Sequence, residues 1–196
     1  MKHIKDNSYD IVRLVIDQVG ISIFALVLYI SMNIAGSNNQ ELGFSLNLIA
    51  SVFSILFYWA LIYTVLWEIG AKDRIRIDSG KAGKFTLKGA LLASVANIVN
   101  LFLAIFVIVF ESIHVFAGTE AFNGVITVLI VVIRFTSAMF LRSVNAICLP
   151  FDEPYVLLAQ SAGYLVFFIL TIGVCQLAYT LGMNNFKILG NKQKNH

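Results

Sequence analysis

A run of 26 residues, 42–67, contains no charged side chain. Nothing else in the sequence restricts the fold as strongly. A hydrocarbon core about 30 Å thick is spanned by roughly 20 consecutive apolar residues in a helix. In water such a run would need other chain packed around it on every side. The 196 residues cannot supply that cover, because 59% are hydrophobic and only 13% charged, against about 25% charged in an ordinary soluble domain. The solvent for this run is lipid.

Five apolar stretches fit a membrane span: residues 14–35, 46–69, 89–110, 122–141 and 162–181. They are continuous rather than alternating in polarity, so they read as helices and not as strands of a barrel, and a helix satisfies its own backbone polar groups in lipid. The sequence therefore predicts an all-α integral membrane helix bundle of about five transmembrane helices over residues 14–181. An N-terminal tail, 1–13, precedes it and a C-terminal tail, 182–196, follows it. The first stretch reads as a retained anchor, because its apolar run is too long for a signal peptide and Asn33-Ile34-Ala35 is a poor cleavage site. The connecting pieces are too short to bury a core of their own, so no soluble catalytic domain is expected.

Charge sets the expected orientation, because short cytoplasmic loops collect Lys and Arg. The N-terminal tail carries Lys2, Lys5 and Arg13, and residues 70–88 carry Lys72, Arg74, Arg76, Lys81, Lys84 and Lys88, whereas 36–45 and 111–121 carry no Lys or Arg. That alternation predicts a multi-pass cell-membrane protein with its N-terminus and the 70–88 loop in the cytoplasm. The second half conflicts with it. Five crossings leave the C-terminus outside, yet the tail holds Lys187, Lys192 and Lys194. The alternative makes 122–141 a re-entrant or interfacial element broken at Arg134, with four crossings and both ends inside. The sequence favours five crossings.

The six cations of 70–88 are candidates for contact with anionic lipid headgroups, although fixing topology is explanation enough for them. Isoleucine and charge alternate from Arg74 to Asp78 and Asp78-Ser79-Gly80 is a turn signal, so a small ribbon on the headgroups is expected. Between Pro150 and Pro154 the acidic pair Asp152 and Glu153 reads as a plain connector.

Ionisable residues inside a membrane are costly and need a reason. Arg134 is the foremost, with Asp17, Glu68 and Arg142 as candidate partners, and five crossings would place Arg142 at the same edge as Asp17 and Glu68. In the third stretch Gly89, Ala93, Ala96, Asn97, Asn100 and Ala104 recur at helical spacing, forming a face for helix packing or, alternatively, a polar cavity around Asn97 and Asn100. Gly173, Gln176 and Thr180 form a shorter stripe of this type. Asn47 and Gln160 lie at segment ends and call for no special role. Trp67, Tyr155 and Tyr29 fall where an interfacial aromatic belt is expected.

Recognisable reaction chemistry is missing from the sequence. His3, His114 and His196 are not at metal-ligand spacing, Gly83-Lys84 is followed by Phe85 rather than Ser or Thr, and Cys148 and Cys175 have no basic neighbour to activate a thiol. No enzyme activity, cofactor, metal site or nucleic-acid partner is expected. The reading adopted is a non-enzymatic accessory or scaffold component of a membrane complex, with anionic lipid, another membrane protein or a second copy as partner. The alternative is a small-solute or ion transporter or channel, with a polar path around Arg134, Asn97 and Asn100 and with Asp17 on it.

Overall fold

A computed structural model describes residues 8–81, 83, 85–118, 122–151 and 155–186. Among them the regular structure is all helical, without strands. The helices are α1 (Ser8–Ala35), α2 (Gln40–Asp78), α3 (Lys88–Ala96), α4 (Ile98–Ala117), α5 (Asn123–Thr136), α6 (Leu141–Cys148) and α7 (Val156–Met183), with one 3-10 turn, Ala138–Phe140, between α5 and α6. Four of them, α1, α2, α4 and α7, are each long and apolar enough to cross a membrane. The fifth apolar stretch is the pair α5–α6, bent by 87°. The helix-bundle expectation holds. Lys84, Asp152, Glu153 and the lysines of both tails lie outside the described residues.

The 70–88 region departs from the expected ribbon. The helix that starts at the membrane run continues through Asp78, making α2 39 residues and about 58 Å long at 1.5 Å per residue. Extending an existing helix adds one hydrogen bond per residue fixed, whereas a ribbon needs a new nucleus. Two i,i+4 ion pairs, Lys72–Glu68 at 2.9 Å and Arg74–Asp78 at 3.6 Å, also fit only the helix. Ser79 closes it, followed by Gly80 at φ +70°. At the other end the Asn39 side chain accepts from the free backbone N–H groups of Glu41 and Leu42.

The third stretch is two helices rather than one. Asn97 Nδ2 donates to the Ala93 carbonyl at 3.0 Å, beside that carbonyl's own main-chain bond. This competition is a known cause of helix bending. The spanning helix of this stretch is α4, which runs past the expected end at 110 and stops at Gly118, φ +64°.

Side-chain contacts give each helix a direction. Arg13 meets Glu68 and Asn33 meets Asn47, so α1 and α2 are antiparallel. Trp59 Nε1 donates to Thr171 Oγ1 at 3.2 Å and Trp67 Nε1 to the Phe186 carbonyl at 2.8 Å, so α2 and α7 run parallel. Asn100 meets Thr136 and Phe110 stacks on Phe122, so α4 and α5 are antiparallel. After the bend Phe140 stacks on Phe167 while Val144 lies against Gly163, so α6 turns back toward the start of α7. The α5–α6 hairpin thus enters and leaves at one end of the bundle. We call this the far end, and the end with Arg13, Glu68 and Lys72 the basic end. The described chain begins and finishes at the basic end, with four long apolar helices and one bent pair whose break lies at Ser137 rather than Arg134.

The parallel contact of α2 with α7 is tight because it is made by glycine. A Cβ at Gly182 would run into the Trp67 carbonyl, and one at Gly70 into the Tyr179 carbonyl. Gly173, expected in the packing stripe, instead faces open space. The face in contact is Thr171, Cys175, Ala178, Tyr179 and Gly182. Gly182→Ala is therefore expected to lower stability in detergent by about 1–3 kcal/mol through overpacking, and Gly173→Ala to leave it unchanged. Thermal unfolding of the two purified variants checks the pair, and equal midpoints would refute the contact.

Candidate functional site

The bend between α5 and α6 leaves main-chain carbonyls without helical partners at mid-depth, where lipid offers no replacement. Two buried serines from other helices supply it. Ser22 Oγ donates to the Thr136 carbonyl at 2.7 Å and Ser51 Oγ to the Met139 carbonyl at 2.8 Å. Ser51 Oγ also accepts from the Ser143 backbone N–H at 3.3 Å. Thr136 Oγ1 donates to Asn100 Oδ1 at 2.9 Å, fixing the end of α5 to α4. Ser22→Ala or Ser51→Ala is expected to cost about 1–2 kcal/mol each by leaving a buried carbonyl unpaired. Ser31→Ala, which removes only a bond to the Val27 carbonyl one turn earlier on the exposed face of α1, should be silent. Unfolding in mixed micelles measures the three, and a silent Ser22→Ala and Ser51→Ala would reject the capping role.

The hairpin carries both arginines of the far half. Arg134 Nη2 donates to Gln160 Oε1 at 2.8 Å. Arg142 Nη2 donates to Tyr29 Oη at 2.8 Å and approaches Asn33 Oδ1 at 3.4 Å, and its guanidinium carbon lies 4.5 Å from the centre of the Tyr29 ring. None of the ion pairs between described residues includes either arginine. The expectation that Arg142 shares an edge with Asp17 and Glu68 is overturned, because the hairpin returns to the far end instead of crossing. Glu68 is held at the basic end by Lys72 and Arg13. Asp17 is half-buried one turn after Arg13.

Asn97 and Asn100 are both buried, as are Gly89, Ala93 and Ala104. They do not converge on Arg134, since Asn97 bonds within its own helix, Asn100 holds Thr136 and Arg134 holds Gln160. Gln160 and Asn47, given no role by their position at segment ends, both carry structure. Asn47 Nδ2 donates to Asn33 Oδ1 at 3.0 Å and to the Gly43 carbonyl at 2.8 Å.

At the basic end the five described cations have different surroundings. Lys72 and Arg74 are exposed and paired with Glu68 and Asp78, and Arg76 and Lys81 are exposed. Lys88 is turned inward. Its Nζ lies 2.7 Å from Asp73 Oδ2, with both side chains largely buried. Tyr179 Oη donates to the same carboxylate oxygen at 3.1 Å. Gln176 of α7 completes this junction, accepting from the Ala90 N–H and donating to the Thr86 carbonyl. Beside it lies a cavity of about 480 Å³, whose walls include Arg74, Asp78, Thr86, Gln176 and Thr180.

A second cavity, of about 290 Å³, opens at the far end and is lined by Asn33, Ser37, Asn47 and Arg142. Between the two ends the bundle is closed by Met139, Phe140 and Phe168, all 0% exposed, with Tyr58 set edge-on to the Phe140 ring. Comparisons with known protein families, curated proteins and solved structures found no match. The site must be read from its own geometry.

Asp73, Tyr179, Ser22 and Ser51 were not singled out by sequence reasoning. The signal for Asp73 was present, as an acid within a run of cations on a helix. For the serines there was none, since a serine in an apolar helix more often bonds to its own preceding turn.

Proposed function

We propose that this chain is a multi-pass cell-membrane protein without reaction chemistry of its own, acting as an accessory or scaffold component of a membrane assembly with its basic end in the cytoplasm. The observation that carries this reading is the closed aromatic and methionine layer around Phe140 at mid-depth, which separates the two cavities. Of the polar groups at the bend, Ser22, Ser51, Asn100 and Thr136 are engaged in holding it, while the buried Ser137 Oγ at the break has no partner. The charged last turns of α2 continue from its apolar run and offer Lys72, Arg74 and Arg76 to anionic headgroups or to an acidic face of a partner.

A second reading, passage of a small solute or ion, is favoured by one feature. The broken segment carries two arginines that form no ion pair with any described acid, and broken helices at membrane depth recur in transporters. Two measurements separate the readings. Gentle solubilisation from native membranes should give a particle of fixed composition larger than one chain, and vesicles containing the purified chain should hold an ion gradient as well as empty vesicles do. A flux that Arg134→Ala abolishes without loss of folded protein would overturn the scaffold reading.

A further inference from the structure

We propose that the far-end cavity is a binding site for a small oxyanion, a phosphate or carboxylate group that carries or adjoins a hydrogen-bond donor, with Arg142 as its anchor. The cavity lies between the α1–α2 turn and α6, and among the described residues of its lining Arg142 is the only charged one. Its guanidinium is positioned rather than neutralised, because its partners, the Tyr29 ring and hydroxyl and the Asn33 amide oxygen, bear no net charge. A cation held at a membrane end among neutral groups is matched electrostatically by an anion, and the planar guanidinium fork suits the two oxygens of a carboxylate or phosphate.

Two polar atoms behind the cavity wall lack partners. Asn47 is 2% exposed, and its Oδ1 has no partner although its Nδ2 makes two bonds. Arg142 Nε is also buried without a partner. Both residues line this cavity. The cavity itself offers the Arg142 guanidinium as a charged donor and, on its rim, the exposed Ser37 hydroxyl as a neutral acceptor. A ligand that satisfies both carries an anionic oxygen and an O–H or N–H within one small group. Hydrogen phosphate meets this description, as does a phospholipid headgroup whose phosphate stands next to a hydroxyl or amine. The volume of about 290 Å³ admits a group of that size.

The test uses the full chain. In neutral detergent, inorganic phosphate is titrated against chloride at matched ionic strength and thermal unfolding is recorded. In parallel, nanodiscs of phosphatidylglycerol and of phosphatidylcholine are compared by the same readout and by the phosphorus retained after detergent extraction. A phosphate-dependent rise in the unfolding midpoint, lost in Arg142→Gln and weakened at least tenfold in Arg142→Lys, supports a free oxyanion. A rise confined to phosphatidylglycerol and lost in the same variants supports a lipid headgroup. If Arg142→Gln does not fold, Ser37→Asp replaces it. Ser37 is exposed on the rim, and a carboxylate there competes for Arg142 without disturbing the core, so it should lower affinity at least tenfold. A midpoint indifferent to phosphate and to lipid overturns the proposal, as does a response unchanged in Arg142→Lys and Ser37→Asp. The scaffold reading is unaffected by either outcome, because it rests on the layer around Phe140.

Discussion

Single cysteines placed at Ser8, Lys81 and Asn184 will all react with a membrane-impermeant maleimide from one side of the membrane, and cysteines at Asn38, Asn123 and Phe151 from the other. The native Cys148 and Cys175 are buried and contribute little background. The effect is all-or-none at each position. The decisive site is Asn184, since five full crossings would move it to the side of Asn38. The expectation follows from two contacts made by one helix. Trp59 meets Thr171 and Trp67 meets Phe186, so α7 ends where the apolar run of α2 ends. It follows too from the bend, which returns Val144 to the level of Gly163. Labelling of Asn184 together with Asn38 would reject the re-entrant hairpin.

The largest loss of stability is expected at Asp73. The residue is 8% exposed, and its carboxylate takes both the Lys88 ammonium and the Tyr179 hydroxyl. Removing one member of a buried pair leaves the other charge uncompensated, which costs about 3–5 kcal/mol. Asp73→Ala should therefore unfold well before the wild type in a denaturing-detergent titration. The exchange Asp73→Lys with Lys88→Asp should recover part of the loss. Arg74→Ala breaks a pair that is exposed on both sides and should cost no more than about 1 kcal/mol. Equal losses for Asp73→Ala and Arg74→Ala would refute the buried junction.

The positions of Asp73 and Arg74 show how far the sequence could be read. Both belong to one basic stretch, and composition assigns them the same task. The fold separates them, because helical spacing turns Asp73 toward Tyr179 and Arg74 toward solvent. The alternation of isoleucine and charge there suggested extended chain, yet the helix propagates from the apolar run before it. Asn97 and Asn100 were recognisable as buried polar groups by their spacing. Their partners were not, because a partner depends on which helix lies opposite. The fifth stretch is the clearest case. Arg134 marked it as irregular, but the break falls at Ser137, where serines from α1 and α2 can cap the freed carbonyls.

By itself the sequence determined that this chain is a bundle of helices dissolved in lipid and which of its ends is basic, because transfer of long uncharged runs out of water is a local and additive property. Only the tertiary structure decided that the fifth run turns back, that α2 and α7 run parallel and that Arg142 stands over a cavity with Asn33 and Asn47. Those outcomes depend on which glycine lets two backbones approach and which hydroxyl meets a carbonyl from another helix, relations between distant residues that no local window of sequence contains.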